Sequence, residues 1–598
     1  MKKTRYSVKT VCLLAMCGVA LFANAQDDKK KEQDLNRQMT LEREYDPSVQ
    51  DASKVNTLPQ VKEPEVRKIP IDYSDYTLAM DPAQQISVLP SGNIMTQMDY
   101  NKRRGYLRLG AGTYMNLNGD FGYHALSTAT DQLSIAFSHR SANGNVKYIQ
   151  LPDEKVKAKI NDNLGGLKYA HAFEKASLNV GLNYGYSAYN YYGLSMLSFS
   201  SLPMQDLLNK ADRETNQVNQ TIAATLGVES KEDADLAYLV DLGFVNFSRK
   251  YGISKDTDGP KETTIEAKVN VSKRFNGDMR FGLEALVEYF NYSLPAEKAL
   301  PNGGLYICEF ENHAEVALHP YYEVEGENWK VRLGANVMLK TGDESLFMAT
   351  PNVAANFEVA DKTELYIKAN GKLYSNSMYE MSKINRYLPA EELTPSRNWL
   401  DGVLGIKSGV APGFWFDIFA GYKMTSDDVL FVPGRTFEEG GFGNFSEAMS
   451  GINTKQLFVG ASLKYSYQQL FELTLKGQYN NWKAEYGDEW IGFSDSSLEH
   501  AWGKPEMELN AGVMVRPMDK LAVALDYSLA TGRYTLLAGA DLYKMNNINE
   551  LNLTATYTLN DTFGFYAKVN NLLSQKYELY YGYPMQRLSA QVGVNINF

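Results

Sequence analysis

From Gly105 onward the chain alternates apolar and polar residues with a period of two. Leu107, Leu109 and Ala111 alternate with Arg108, Gly110 and Gly112. Leu178, Val180, Leu182, Tyr184 and Tyr186 alternate with Asn179, Gly181, Asn183 and Gly185. Leu551, Leu553, Ala555 and Tyr557 alternate with Asn552, Thr554 and Thr556. The stretch Leu588–Phe598 is the most regular: every even position is apolar and every odd one is polar or glycine. Such a strand has one greasy face and one wet face. Strands that put apolar residues toward lipid and polar ones toward a lumen, ending on an aromatic residue, build outer-membrane barrels.

The joints between these segments alternate in length. Tight turns are expected at Ser127–Asp131, Phe173–Lys175, Ser230–Asp235, Asn276–Asp278, Glu325–Asn328, Ala360–Lys362, Ala411–Gly413, Tyr467–Gln469, Pro517–Lys520 and Asn560–Thr562. Longer, wetter connections fall between them, at Asn190–Gln217, Leu294–Ile307, Ser377–Asn398, Ser426–Lys455 and Gly487–Lys504. Lys147–Asn163 reads either as one loop or as a hidden hairpin. Short turns on one rim and long loops on the other are the outer-membrane arrangement. Ten turns with both barrel ends on the turn side imply about 22 strands and eleven outer loops. The expected fold is therefore all-β, a transmembrane antiparallel β-barrel over 105–598.

The first hundred residues are different material. Met1–Ala25 reads as a signal peptide, with Lys2, Lys3, Arg5 and Lys9 before an apolar core and Ala23-Asn24-Ala25 as the cleavage site. Residues 26–104 carry spaced prolines at Pro47, Pro59, Pro64, Pro70, Pro82 and Pro90, which forbid long helices. They are expected to form an extended or disordered periplasmic segment, or one threaded into the lumen. Its candidate partner motif is Thr40, Leu41, Glu42, Tyr45, Asp46 and Pro47, aimed at a periplasmic or surface protein.

Composition narrows the function classes. Hydrophobic residues make up 44% and mean hydropathy is −0.36, so the chain lacks the signature of helical membrane proteins. The net charge of −11, which falls to −15 once the four basic leader residues are gone, argues against a nucleic-acid partner. Cys12 and Cys17 lie in the leader, leaving Cys308 without a disulfide mate.

The C-terminal segment adds a motif. Asn570, Asn571, Leu572 and Leu573, then Tyr577, then a loop containing Gly582, lead into the last strand. This resembles the end of TonB-dependent receptors. The resemblance implies an outer-membrane barrel for solute uptake or reception. It also implies that Val592, Val594, Ile596 and Phe598 are read by the barrel-assembly machinery, with lipid as the other partner. Family members carry a globular plug before the barrel, and residues 26–100 have no pattern able to build its sheet. Something else is then expected to fill so wide a lumen: the N-terminal segment, infolded loops or a partner.

Catalytic chemistry is not visible. No nucleophile elbow, phosphate loop or Cys-x-x-Cys spacing occurs, so no enzyme and no cofactor is expected. His313 and His319 share a strand face but are too far apart for one metal. Asp427 and Asp428, with Glu438 and Glu439, are a weak calcium candidate in a glycine-rich loop. Trp482, Trp490 and Trp502 flank an outer loop, either as an interfacial girdle or as stacking contacts for a ligand. Two functions stay open: uptake or reception across the outer membrane, and a sealed barrel that recruits a periplasmic partner through residues 26–100.

Overall fold

A computed structural model describes residues 103–598 apart from 195–215, 232–235, 253–254, 276, 300–304, 307, 344, 410, 435–444, 487–499 and 538–541. The signal peptide, the Thr40–Pro47 motif, Glu438, Glu439 and Trp490 lie outside the described residues.

The barrel is one closed antiparallel sheet of 22 strands. In chain order they are β1 Gly105–Gly112, β2 Leu117–Ser127, β3 Asp131–Lys147, β4 Lys155–Ala172, β5 Ala176–Asn190, β6 Asn216–Ser230, β7 Leu236–Arg249, β8 Lys261–Phe275, β9 Met279–Ser293, β10 His313–Glu325 and β11 Trp329–Lys340. The second half is β12 Leu346–Ala360, β13 Thr363–Tyr374, β14 Ser396–Ser408, β15 Phe414–Pro433, β16 Ser446–Tyr467, β17 Phe471–Glu485, β18 Met507–Met518, β19 Leu521–Thr531, β20 Ile548–Thr558, β21 Phe563–Asn570 and β22 Ser589–Asn597. Each strand pairs with its chain neighbours, and β1 pairs with β22 from Tyr106↔Asn597 to Gly112↔Gln591. No described helix is long and apolar enough to cross a membrane. This fold crosses with strands.

Alternation decides which face each residue takes. At the seam Leu107, Leu109 and Ala111 stand opposite Ile596, Val594 and Val592. Leu109 keeps 46% and Val592 66% of its surface exposed, as befits a lipid-facing wall. The other face carries ion pairs such as Arg140–Asp120 at 2.7 Å and Arg332–Glu284 at 2.7 Å. The seam ends in a reciprocal bond pair: Gly105 N–H donates to Phe598 O at 2.9 Å, and Phe598 N–H to Gly105 O at 3.0 Å. The Phe598 ring lies 6.1 Å from Tyr123 and 6.4 Å from Phe121. A Cβ on residue 105 would stand 2.7 Å from that ring, so the seam needs glycine there.

All ten expected tight turns join strands on the rim that holds Gly105 and Phe598. Two of the expected long connections are corrected. Lys147–Asn163 is neither a whole loop nor a hairpin: β3 and β4 bracket a connection of only residues 148–154. Within Ser426–Lys455, β15 continues to Pro433 and β16 starts at Ser446. Register shifts between Thr425 and Leu430 break the alternation there, which disguised the strand as loop.

Candidate functional site

Tyrosine-rich outer loops gather into a buried cluster. Tyr148, Tyr189, Tyr191, Tyr192, Leu194, Tyr387, Phe445 and Tyr583 are all at most 7% exposed. They come from the ends of strands and loops set far apart around the ring: β3–β4, β5–β6, β13–β14, β15–β16 and β21–β22. Residues from opposite walls can meet only across the mouth. Tyr387 stacks on Tyr583 at 3.9 Å, and Tyr192 packs edge-on to both, at 5.7 Å and 5.1 Å. Tyr191 packs on Phe445 at 4.8 Å.

Buried hydroxyls need partners, and these use them to tie loop to loop. Tyr148 donates to Tyr192 O at 2.7 Å, Tyr189 to Arg386 O at 2.5 Å, and Tyr580 to Ile384 O at 2.6 Å. Leu194 N–H donates to Gly582 O at 3.0 Å. Gly582 has φ +80, and a Cβ there would meet Leu194 O at 2.3 Å. The β13–β14 loop reaches furthest. It carries the short helix α1, Met378–Ile384, whose Ser377 cap accepts from Glu380 N–H at 3.3 Å. Just beyond, Arg386 crosses to Asp162 of β4 at 3.1 Å, and Arg249 of β7 donates to Leu388 O at 2.8 Å.

A second cluster packs Leu430, Val432, Ile452, Ala501, Trp502 and Leu536. It holds one of the three tryptophans of the stacking expectation. Trp502 is 1% exposed and lies 4.6 Å from the Tyr486 ring, so it has no open face for a ligand. Trp482 is half-buried, its indole N–H donating to Pro505 O at 3.0 Å, with the Lys504 ammonium 4.9 Å from its ring. Both are loop anchors in this structure. Of the calcium candidate, the described residues include Asp427 and Asp428. Arg397 holds Asp427, while Thr454 and Lys504 hold Asp428, so the protein supplies their counter-charges.

A third tie involves Glu578, which is fully buried in the β21–β22 loop. Its carboxylate accepts from Gly582 N–H at 2.8 Å and from Gln150 Nε2 at 3.1 Å. Arg533 donates to the carbonyls of Glu578 and Leu579. Burial pushes the Glu578 carboxyl up to about 7.

No protein-family model matches the chain, and no curated protein matches it by sequence. Solved structures do match by shape. The FpvA receptor of Pseudomonas aeruginosa, bound to a heterologous pyoverdine, superposes with TM-score 0.62 at 11% identity, over 83% of this chain and 72% of its own. The FrpB iron transporter of Neisseria meningitidis gives 0.62 at 10% identity, over 83% and 82%. The ferric-catecholate import receptor Fiu of E. coli K12 gives 0.58 at 10% identity, over 83% and 82%. In fold the chain is similar to these receptors and transporters.

In this barrel the C-terminal motif residues build the last outer loop. Asn571, with φ +48, takes Asn552 Oδ1 on its backbone N–H at 2.9 Å. Its side chain donates to Gln575 O at 2.9 Å and accepts from Gln575 N–H at 2.8 Å. Leu572 and Leu573 are exposed, while Tyr577 is buried with its hydroxyl on Glu550. Asn570 closes β21, its amide 3.3 Å from Ser589 Oγ. Sequence reasoning missed Tyr387, Arg386, Arg249 and Glu578. The excess of tyrosine, 40 in the chain, was the available signal, but it does not say which tyrosines meet.

Proposed function

We propose that this protein is an outer-membrane uptake receptor whose outer mouth is held shut at rest by the tyrosine lid. The observation that carries the reading is the Tyr192–Tyr387–Tyr583 contact between loops of different walls. The neighbours in shape are receptors and transporters for iron complexes and copper, which supports uptake without naming a solute for this chain. Solute reaches the outer face, the loops part, and the polar lumen provides the path. The alternative is a sealed anchor that recruits a periplasmic partner through Thr40–Pro47.

Planar-bilayer conductance decides between them. The intact protein stays closed. A variant combining Tyr387→Ala and Tyr583→Ala with deletion of Asp27–Tyr100 conducts if the lumen is a gated path. If that variant stays closed, the uptake reading fails and the anchor reading takes its place.

A further inference from the structure

We propose that His313 and Glu315 form a chelating pair for one divalent transition-metal ion in the upper lumen, beside the foot of the β13–β14 loop. The two residues stand two apart on β10, so their side chains share a face. That face is the lumen: Val316 of the opposite parity pairs with Leu339, which is exposed on the lipid side.

Each side chain is tied at its far atom and bare at its near one. His313 Nδ1 lies 3.0 Å from Glu311 O. A carbonyl only accepts, so Nδ1 carries a proton, and it is at Nε2 that a neutral ring would present its lone pair. Glu315 Oε2 accepts from Ser375 Oγ at 2.9 Å, leaving Oε1. His313 Nε2 and Glu315 Oε1 are both buried and make no hydrogen bond. They face each other across 3.6 Å, beyond hydrogen-bond reach. The residues are 5% and 7% exposed, so bulk water does not compensate them. The imidazole is fixed further by stacking on Phe290 at 4.7 Å.

Two acceptors aimed at one point need a positive centre between them. An ion about 2.1 Å from each would bind both at an angle of roughly 120°, suited to zinc-type coordination. An N–H bond from the second imidazole nitrogen to a carbonyl and a hydrogen bond to the second carboxylate oxygen are what outer-shell support of a metal site looks like. The surroundings add negative charge. Glu288 stands directly opposite Glu315, and Glu266 directly opposite Glu288, on three successive strands. Like charges in direct register are costly unless a cation or a proton sits among them. Basic groups on this wall include Lys340, in register with Glu315, Lys372 of β13, and Lys268, two residues from Glu266 on β8. None of these lies within ion-pair distance of Glu315. Among the described residues no preassembled group of three or more metal-binding side chains occurs. The pair is therefore a two-ligand site, which water or a rotated Glu288 completes. Imidazole with carboxylate selects the zinc, nickel and copper class over calcium.

The inference does not depend on transport. The test uses the tag-free full chain in detergent, stripped of metal and titrated with Zn²⁺, with Co²⁺ absorption as a second readout. The expected result is one Zn²⁺ per chain, with affinity falling at least tenfold in His313→Gln and in Glu315→Gln. Heat-modifiable migration checks that each variant is folded. If the variants fail to fold, the intact protein decides alone, by whether one equivalent of Co²⁺ gives a coordinated visible band. Absence of that stoichiometry, or equal affinity in folded variants, overturns the proposal. So does an imidazolium at His313 at neutral pH in the presence of Zn²⁺, because a proton would then fill the gap.

Discussion

Single residues hold the two ends of this barrel. Phe598 contributes two backbone bonds and an aromatic contact to the seam. Deleting it is expected to lower membrane levels and heat-modifiable migration while leaving synthesis unchanged; unchanged migration would remove its assembly role. Glu578 at the other rim sets a pH dependence. Its closed-loop value of about 7 lies above the open value of 4.5, so the closed loop holds the proton more tightly. Closure is fully favoured below 4.5 and weakens as pH rises from 4.5 to 7, by on the order of 3 kcal/mol. The groups that face it are Gln150, Arg533, Tyr543, Tyr581 and the Gly582 amide. Limited proteolysis of the 571–588 loop should run faster at pH 8 than at pH 5. Glu578→Gln, which keeps an acceptor for Gly582, should abolish the difference.

At the level of elements, strands and loops differ in what holds them. Strands are fixed by a two-sided environment, lipid on one face and water on the other, and the sequence must alternate to meet it. That is why all ten tight turns and the strand count were legible before the structure. The outer loops meet no such repeating demand. Tyr387 has no periodic neighbours to mark it, and its contacts to Tyr192 and Tyr583 each join segments nearly 200 residues apart. The bulged tip of β15 was missed for a related reason: a strand above the membrane needs no greasy face. Truncating Tyr387 removes a buried ring from three aromatic contacts, at a cost of about 3–5 kcal/mol. The expected outcome of Tyr387→Ala is faster hydrogen exchange in the 375–395 and 571–588 segments, with barrel strands unaffected. If exchange in both loops is unchanged, the lid is not held by that contact.

The described barrel is a polar-lined tube, and loops from different walls meet at its outer end. The β1–β22 seam has one more consequence, and it concerns time. Gly105 and Phe598 are 493 positions apart yet share two hydrogen bonds. Until β22 is in place, β1 has no closing partner. The nascent sheet would carry two raw edges, each a template for pairing with another chain. Contacts this distant in sequence also form slowly. The step that ends this vulnerability is the one that completes the circle.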